Sequence, residues 1–173
     1  WQFLEVGRRI ERSIQLCQLL SATLVFPTNQ VVDSLVLEST LMATESIITY
    51  RRRYRGVARI ETVLDLLLLD PDNPRSLTYQ LAALDDQLGR LPGGDRTRPR
   101  TVERLVQSAR AEAQAVSTPS LATIANGSRQ VLAGFLASMT EQLQQVATSF
   151  DQDFFTHQLP QQAVFTPNAP GPR

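Results

Sequence analysis

The chain contains no lysine. All seventeen of its basic residues are arginine, set against seventeen acidic ones for a formal net charge of zero. That excludes Schiff-base chemistry, a phosphate-loop lysine and a lysine general base. One Cys and one His rule out a disulfide framework within the chain, a Cys-rich zinc module and a metal site built on several imidazoles. Aromatics are 6% of the 173 residues and glycines number eight, too few for a sandwich or barrel. Long hydrophobic runs are also missing. The longest, residues 63–69, is broken by Asp65 and falls far short of a membrane span, so no membrane partner is expected. No basic-then-apolar leader opens the chain, which starts at Trp1 inside a helical pattern. This predicts an excised or C-terminal piece of a longer protein. The unpaired Cys fits a reducing cytoplasm.

What is present is helical periodicity. Phe3, Val6, Ile10, Ile14, Cys17, Leu20 and Leu24 recur at three- and four-residue spacing, which predicts a core-facing helix up to Val25, ended by Phe26-Pro27-Thr28-Asn29. A second helix is expected over 30–54 with Val31, Leu35, Met42 and Ile48 buried and Gly56 as its stop. Residues 60–69 form a short, nearly all-apolar helix whose Leu66-Leu67-Leu68-Leu69 run has no polar face, so it belongs at the centre. Asn73 is then placed to cap a helix with Pro74 at its first position, and Leu77, Leu81, Leu84, Leu88 and Leu91 give that helix a heptad stripe closed by Pro92-Gly93-Gly94-Asp95. After a basic connection at 96–100, Val102, Leu105, Ala109, Ala113 and Val116 mark a fifth helix. Ser117-Thr118-Pro119-Ser120 breaks or kinks it. A last helix is expected over 121–154 with Ile124 and Leu132 on its buried side. The prediction is all-α: an antiparallel bundle of about six helices over 1–155, with a Pro-rich tail over 156–173 that is disordered or docks as a strap.

Four polar groups stand out. In Gly7-Arg8-Arg9-Ile10-Glu11-Arg12, Glu11 shares a stripe with Gly7, Ile14 and Gln18. A glycine there permits close helix approach, which predicts a partly buried Glu11 in an ion pair or, alternatively, in a polar pocket with Arg12. Glu38 and Glu45, seven apart, lie on one helix face, but the Glu-x-x-His pairs of dimetal bundles are missing and His157 lies near the chain's end, on the surface, so no metal site is expected. Tyr50, Arg51, Arg52, Arg53 and Arg55 crowd one helix end beyond what capping requires, and suit a phosphate, a carboxylate or an acidic peptide. Zero net charge and the lack of a continuing basic stripe argue against nucleic acid. In Asp70-Pro71-Asp72-Asn73-Pro74-Arg75-Ser76 the oxygens lack calcium-loop spacing and favour the helix cap, whereas Arg75 and Ser76 in the first turn are placed to offer donors to an anion. Cys17 occupies a core position and is expected to be inert.

Three of these blocks, Trp1-Gln2-Phe3-Leu4 through Arg12, Thr49-Tyr50-Arg51-Arg52-Arg53-Tyr54, and Leu66-Leu67-Leu68-Leu69 through Leu77, resemble in order the signatures of the bacterial alpha-E domain. The resemblance covers the chain to about His157. It implies a helical domain whose named glutamate is Glu11, flanked by Arg8 and Arg12, with Glu45 where the family often has Asp. It further implies fusion or proximity to a circularly permuted ATP-grasp amide ligase, which would carry the ATP and Mg, leaving no cofactor in this domain. Three functions are therefore compared: an accessory or scaffold domain that holds that ligase or an acidic peptide through Arg8, Glu11, Arg12, Glu38, Glu45, Tyr50, the neighbouring arginines, Asn73, Arg75 and Ser76; an enzyme using Glu11 as acid or base in a central cavity; and an oligomerisation bundle.

Overall fold

A computed structural model describes residues 1–91 and 99–155. Every element among them is helical: α1 (Gln2–Leu24), α2 (Gln30–Ala43), α3 (Ile47–Tyr54), α4 (Ile60–Leu64) continuing as a π turn (Asp65–Leu69), α5 (Leu77–Gly89), α6 (Thr101–Ala115), α7 (Thr118–Ala122) and α8 (Gln130–Phe154). The expected glycine-rich stop at 92–95, Arg96, Arg98, His157 and the tail lie outside the described residues.

The four long helices form a ring in which α1 packs on α5, α5 on α6, α6 on α8 and α8 back on α1. Each neighbour runs antiparallel. Phe3 at the start of α1 meets Phe154 at the end of α8 with ring centroids 5.3 Å apart, and Arg110 of α6 pairs with Asp85 of α5. One core layer is Val6, Ile10, Leu84, Leu88, Val102, Val106, Val146 and Phe150, with each helix supplying residues three or four apart. All five leucines of the α5 stripe are buried, as the heptad requires. The other half of the core spreads from Leu16, Cys17 and Leu20 onto α2, α4 and α7, with the leucines of the π turn at its centre.

Four expectations are corrected. The helix expected over 30–54 breaks at Thr44, because Glu45 adopts left-handed geometry (φ 53°). The Glu45 and Ser46 amides donate to the carbonyls of Met42 and Leu41 (2.9 and 2.8 Å), a Schellman ending. On α2 the buried side is Leu37, Thr40 and Leu41, while Val31 is 71% exposed and Leu35 and Met42 also face outward. Ile48 on α3 is exposed as well. The helix expected over 121–154 is two, since Asn126 and Gly127 both take positive φ in a tight turn closed by Ala125 and Ser128, which leaves Ile124 exposed. Finally, Ser76 rather than Asn73 caps α5, its hydroxyl accepting from the Tyr79 amide at 3.1 Å.

One buried arginine ties the start of α8 to the end of α1. Arg129 donates from Nη1 to the Leu24 carbonyl at 2.7 Å, and its amide donates to Val25 O at 2.9 Å, so it satisfies the orphan carbonyls that end α1. Desolvation lowers its basicity, opposed by the charge of Asp33.

Candidate functional site

The second and third sequence blocks fold against each other. On α3, Tyr50 and Tyr54 face the core, their rings 4.9 Å apart, while Arg51 and Arg52 face solvent. The buried Tyr50 hydroxyl lies 2.6 Å from Thr62 Oγ1 and accepts the Arg59 amide at 3.2 Å, closing the turn between α3 and α4. Tyr54 donates to Asp65 Oδ2 at 2.6 Å; burial first, then that carboxylate, raises its pKa. Arg53 reaches past Tyr54 to pair with Asp70, whose side chain is only 2% exposed. Tyr50 and Arg53, both expected to bind a ligand, are thus engaged within the fold.

Residues 70–76 resolve the polar consequences of the π turn. The Asp70 amide donates to Asp65 O at 2.9 Å, five residues back, so the Leu66 carbonyl loses the partner an α-helix would give it. Asn73 Nδ2 takes that carbonyl at 2.8 Å, while its Oδ1 accepts the Arg75 amide at 3.1 Å. Thr78 Oγ1 donates to Leu68 O at 2.7 Å, and Ser76 Oγ donates to Asp70 O. Three side chains therefore cap three carbonyls of one buried helix end. Ser76, expected as a donor to an anion, and Asn73, expected among the binding residues, point inward instead. The first block joins the same knot through residues not singled out from the sequence. Arg9 donates to Gln80 and Gln87 (both 3.1 Å), and the buried Gln80 donates on to the Pro74 carbonyl.

Glu11 and Arg12 part company. Adjacent helical residues point about 100° apart, and the two line different grooves. Glu11 is exposed, contrary to expectation, and accepts from Gln15 Nε2 at 3.1 Å. It lines a groove between α1 and α8 with Ile10, Ile14, Phe150 and Asp151. A Cβ on Gly7 would meet nothing within 4 Å, so the close helix approach expected there does not occur. Arg12 instead lines a cleft of about 350 Å³ with Gln15, Leu16, Leu19, Ala43, Thr44, Glu45 and Arg75. Arg8 pairs on the surface with Glu5 at 3.0 Å. Glu38 lines neither groove. The cleft is where the first and third blocks meet the end of α2: Arg12 from α1, Arg75 from the loop, and Glu45 just past α2, the last two paired with each other. A non-glycine residue in left-handed geometry costs about 1 kcal/mol, whereas a half-exposed ion pair returns about 0–1 kcal/mol. Stability therefore does not account for a glutamate at this position.

Around this knot, Arg51, Arg52, Arg55 and Arg59 are exposed and make no side-chain hydrogen bond or ion pair with a described residue. No acid occurs between Ser46 and Ile60. Among the described residues no cluster of three His, Cys, Asp or Glu stands ready for a metal, and no helix is long and apolar enough to cross a membrane.

A family model described as "a predicted alpha-helical domain with a conserved ER motif" matches residues 1–155. The chain belongs to the Alpha-E family. Two Glu-Arg pairs occur in this Alpha-E domain, Glu11-Arg12 and Glu103-Arg104. Of these, the first lies among the three blocks, while Glu103 accepts the Arg100 amide at 2.8 Å as part of the α6 capping box. Uncharacterised proteins of Mycobacterium bovis and Mycobacterium tuberculosis are each 38% identical over 149 residues, 85% of this chain but 16% of theirs. The chain thus spans about a sixth of the length of the curated relatives it matches. No solved structure matches it.

Proposed function

We propose that this Alpha-E domain is a non-catalytic accessory module of an ATP-grasp-type peptide or amide ligase system in the cytoplasm, and that it holds an acidic segment of its partner. One observation carries the reading: four exposed arginines without a described partner, Arg51, Arg52, Arg55 and Arg59, fall on α3 and its connection to α4 with no acid in the intervening sequence. Exposed Ile48 and Val57, 70% and 73% accessible, add apolar contact beside them. Guanidinium groups free of internal carboxylates favour planar, paired contacts with external ones. The Arg53–Asp70 pair and Tyr50 hold this edge rigid from beneath. Relatives more than five times longer fit a domain that works beside other domains.

The enzyme reading asks for Glu11 in a central cavity with Arg12 and the other carboxylates. Glu11 and Arg12 line separate grooves at the surface, so the accessory reading is the better supported.

The test is titration calorimetry of the chain against the ATP-grasp protein and against a Glu-rich peptide. Reversing Arg51, Arg52 and Arg55 to Glu should weaken both interactions on the order of 30-fold, taking each exposed contact at about 0.2–1 kcal/mol and adding the new repulsion. Affinity of the native chain should fall with salt, and Glu11→Gln should bind normally. No binding to either probe would overturn the proposal, as would charge reversal without effect.

A further inference from the structure

We propose that the cleft between α1, the end of α2 and residues 70–76 is a binding site for a carboxylate whose adjoining carbon carries an aliphatic side chain. This goes beyond the acidic-partner reading and uses different residues. Arg12 supplies the carboxylate-binding group. It makes no side-chain contact with a described acid, and its neighbour Glu11 is turned into the other groove and held there by Gln15. The one carboxylate within the cleft, Glu45, already has Oε2 taken by Arg75. Two guanidinium groups against one carboxylate leave the cleft with a net charge of +1, which a single ligand carboxylate neutralises.

The rest of the lining fixes the remainder of the ligand. Leu16, Leu19 and Ala43 form an apolar floor beside Arg12, suited to an aliphatic group a bond or two from the carboxylate. Glu45 keeps one oxygen without a partner, able to accept an N–H from the ligand's α-nitrogen. That gives a role to a glutamate standing in left-handed geometry at a helix end where glycine is the usual occupant. A volume of about 350 Å³ accommodates an amino acid of this kind with room to spare. Carboxylate, nitrogen and aliphatic branch on one carbon describe either a free amino acid or the last residue of a peptide.

The two sources are separated by titrating the full ¹⁵N-labelled chain with L-leucine, N-acetyl-L-leucine, L-leucinamide and acetate, following amide shifts. Saturable shifts at Arg12, Leu16, Leu19 and Ala43 are expected with the first two and not with L-leucinamide, which lacks the carboxylate. Arg12→Gln should weaken binding at least about tenfold. Arg51→Gln, which alters the acidic-partner edge, should leave it unchanged, so the two proposals fail independently. Tighter binding of N-acetyl-L-leucine assigns the site to peptide termini. Tighter binding of L-leucine assigns it to free amino acids, with the ammonium on Glu45, a preference that Glu45→Gln should erase. Equal shifts with acetate and L-leucine, or with L-leucinamide, or none at these residues, would overturn the proposal.

Discussion

Replacing Asn73 tests the explanation of the most distinctive segment in the chain. The π turn frees the Leu66 carbonyl in a buried setting, and Asn73, itself 4% exposed, is its side-chain donor. Asn73→Ala leaves that carbonyl unpaired, at about 1–3 kcal/mol, and removes the acceptor for the half-buried Arg75 amide, at about 0.5–1.5 kcal/mol. A loss of about 2–4 kcal/mol corresponds to a fall in Tm of about 5–14 °C for a chain of this size. The assay is thermal and urea unfolding followed by helical circular dichroism. Asn73→Asp sharpens the test because it keeps the acceptor facing Arg75 but sets an oxygen against the Leu66 carbonyl. At neutral pH it should be at least as destabilising as the alanine. The introduced carboxyl has its folded pKa raised above the unfolded value of about 3.9. Its protonated form, which donates, contributes stability that is complete below the unfolded pKa and is lost as pH rises through the folded one. The deficit relative to the native chain should therefore shrink on acidification. Variants within about 0.5 kcal/mol of native, or an Asp variant whose deficit grows as pH falls, would refute the capping argument.

The Arg53–Asp70 pair predicts that Arg53→Ala, which leaves the 2% exposed Asp70 carboxylate with the Asp72 amide but without its cation, costs about 1–3 kcal/mol in urea unfolding, whereas Arg52→Ala on the adjacent position of the same helix stays within about 0.5 kcal/mol. Burial pushes the Cys17 thiol up to about 12, against an ordinary value of 9.0. Its neutral form is thus favoured by the fold at all pH values below the unfolded pKa, and the associated stability is lost as pH rises toward about 12. A thiol reagent should accordingly label the native chain at pH 8 at the rate of its unfolding and not at the rate of a free thiolate, and fast labelling of folded protein would contradict the burial.

The ring of four long helices was legible because its stripes are unambiguous: Leu77 to Leu91 on α5, and Phe3, Val6 and Ile10 on α1, fit one face only. On α2 the pattern fits two. Val31, Leu35 and Met42 make one stripe and Leu37 and Leu41 another, and the buried one contains Thr40, whose hydroxyl lies 3.4 Å from that of Thr23. A polar residue at the centre of the true face made the wrong face look better. The break at Glu45 had no glycine to announce it, whereas the turn at Asn126-Gly127 carried an ordinary Asn-Gly signal that helical periodicity on both sides obscured. Arg9 and Gln80 were missed for a different reason. Their roles depend on a partner some seventy residues away and on a carbonyl of the loop, neither of which spacing along the chain encodes.

What separates the arginines is whether an internal acceptor reaches them. Arg9, Arg53, Arg110 and Arg129 each meet a carboxylate, an amide oxygen or a buried carbonyl from another segment, so replacing them is a question of stability. Arg12, Arg51, Arg52, Arg55 and Arg59 meet none among the described residues, and a guanidinium held in water by the fold gains little by staying where it is. Sequence blocks mix the two kinds residue by residue: Arg53 anchors while Arg52 is free, and Arg9 anchors while Arg12 is free. A motif of this sort therefore carries two constraints at once, one face of the helix building the knot and the next presenting charge. Substituting a whole block cannot tell them apart, whereas single substitutions chosen by face can.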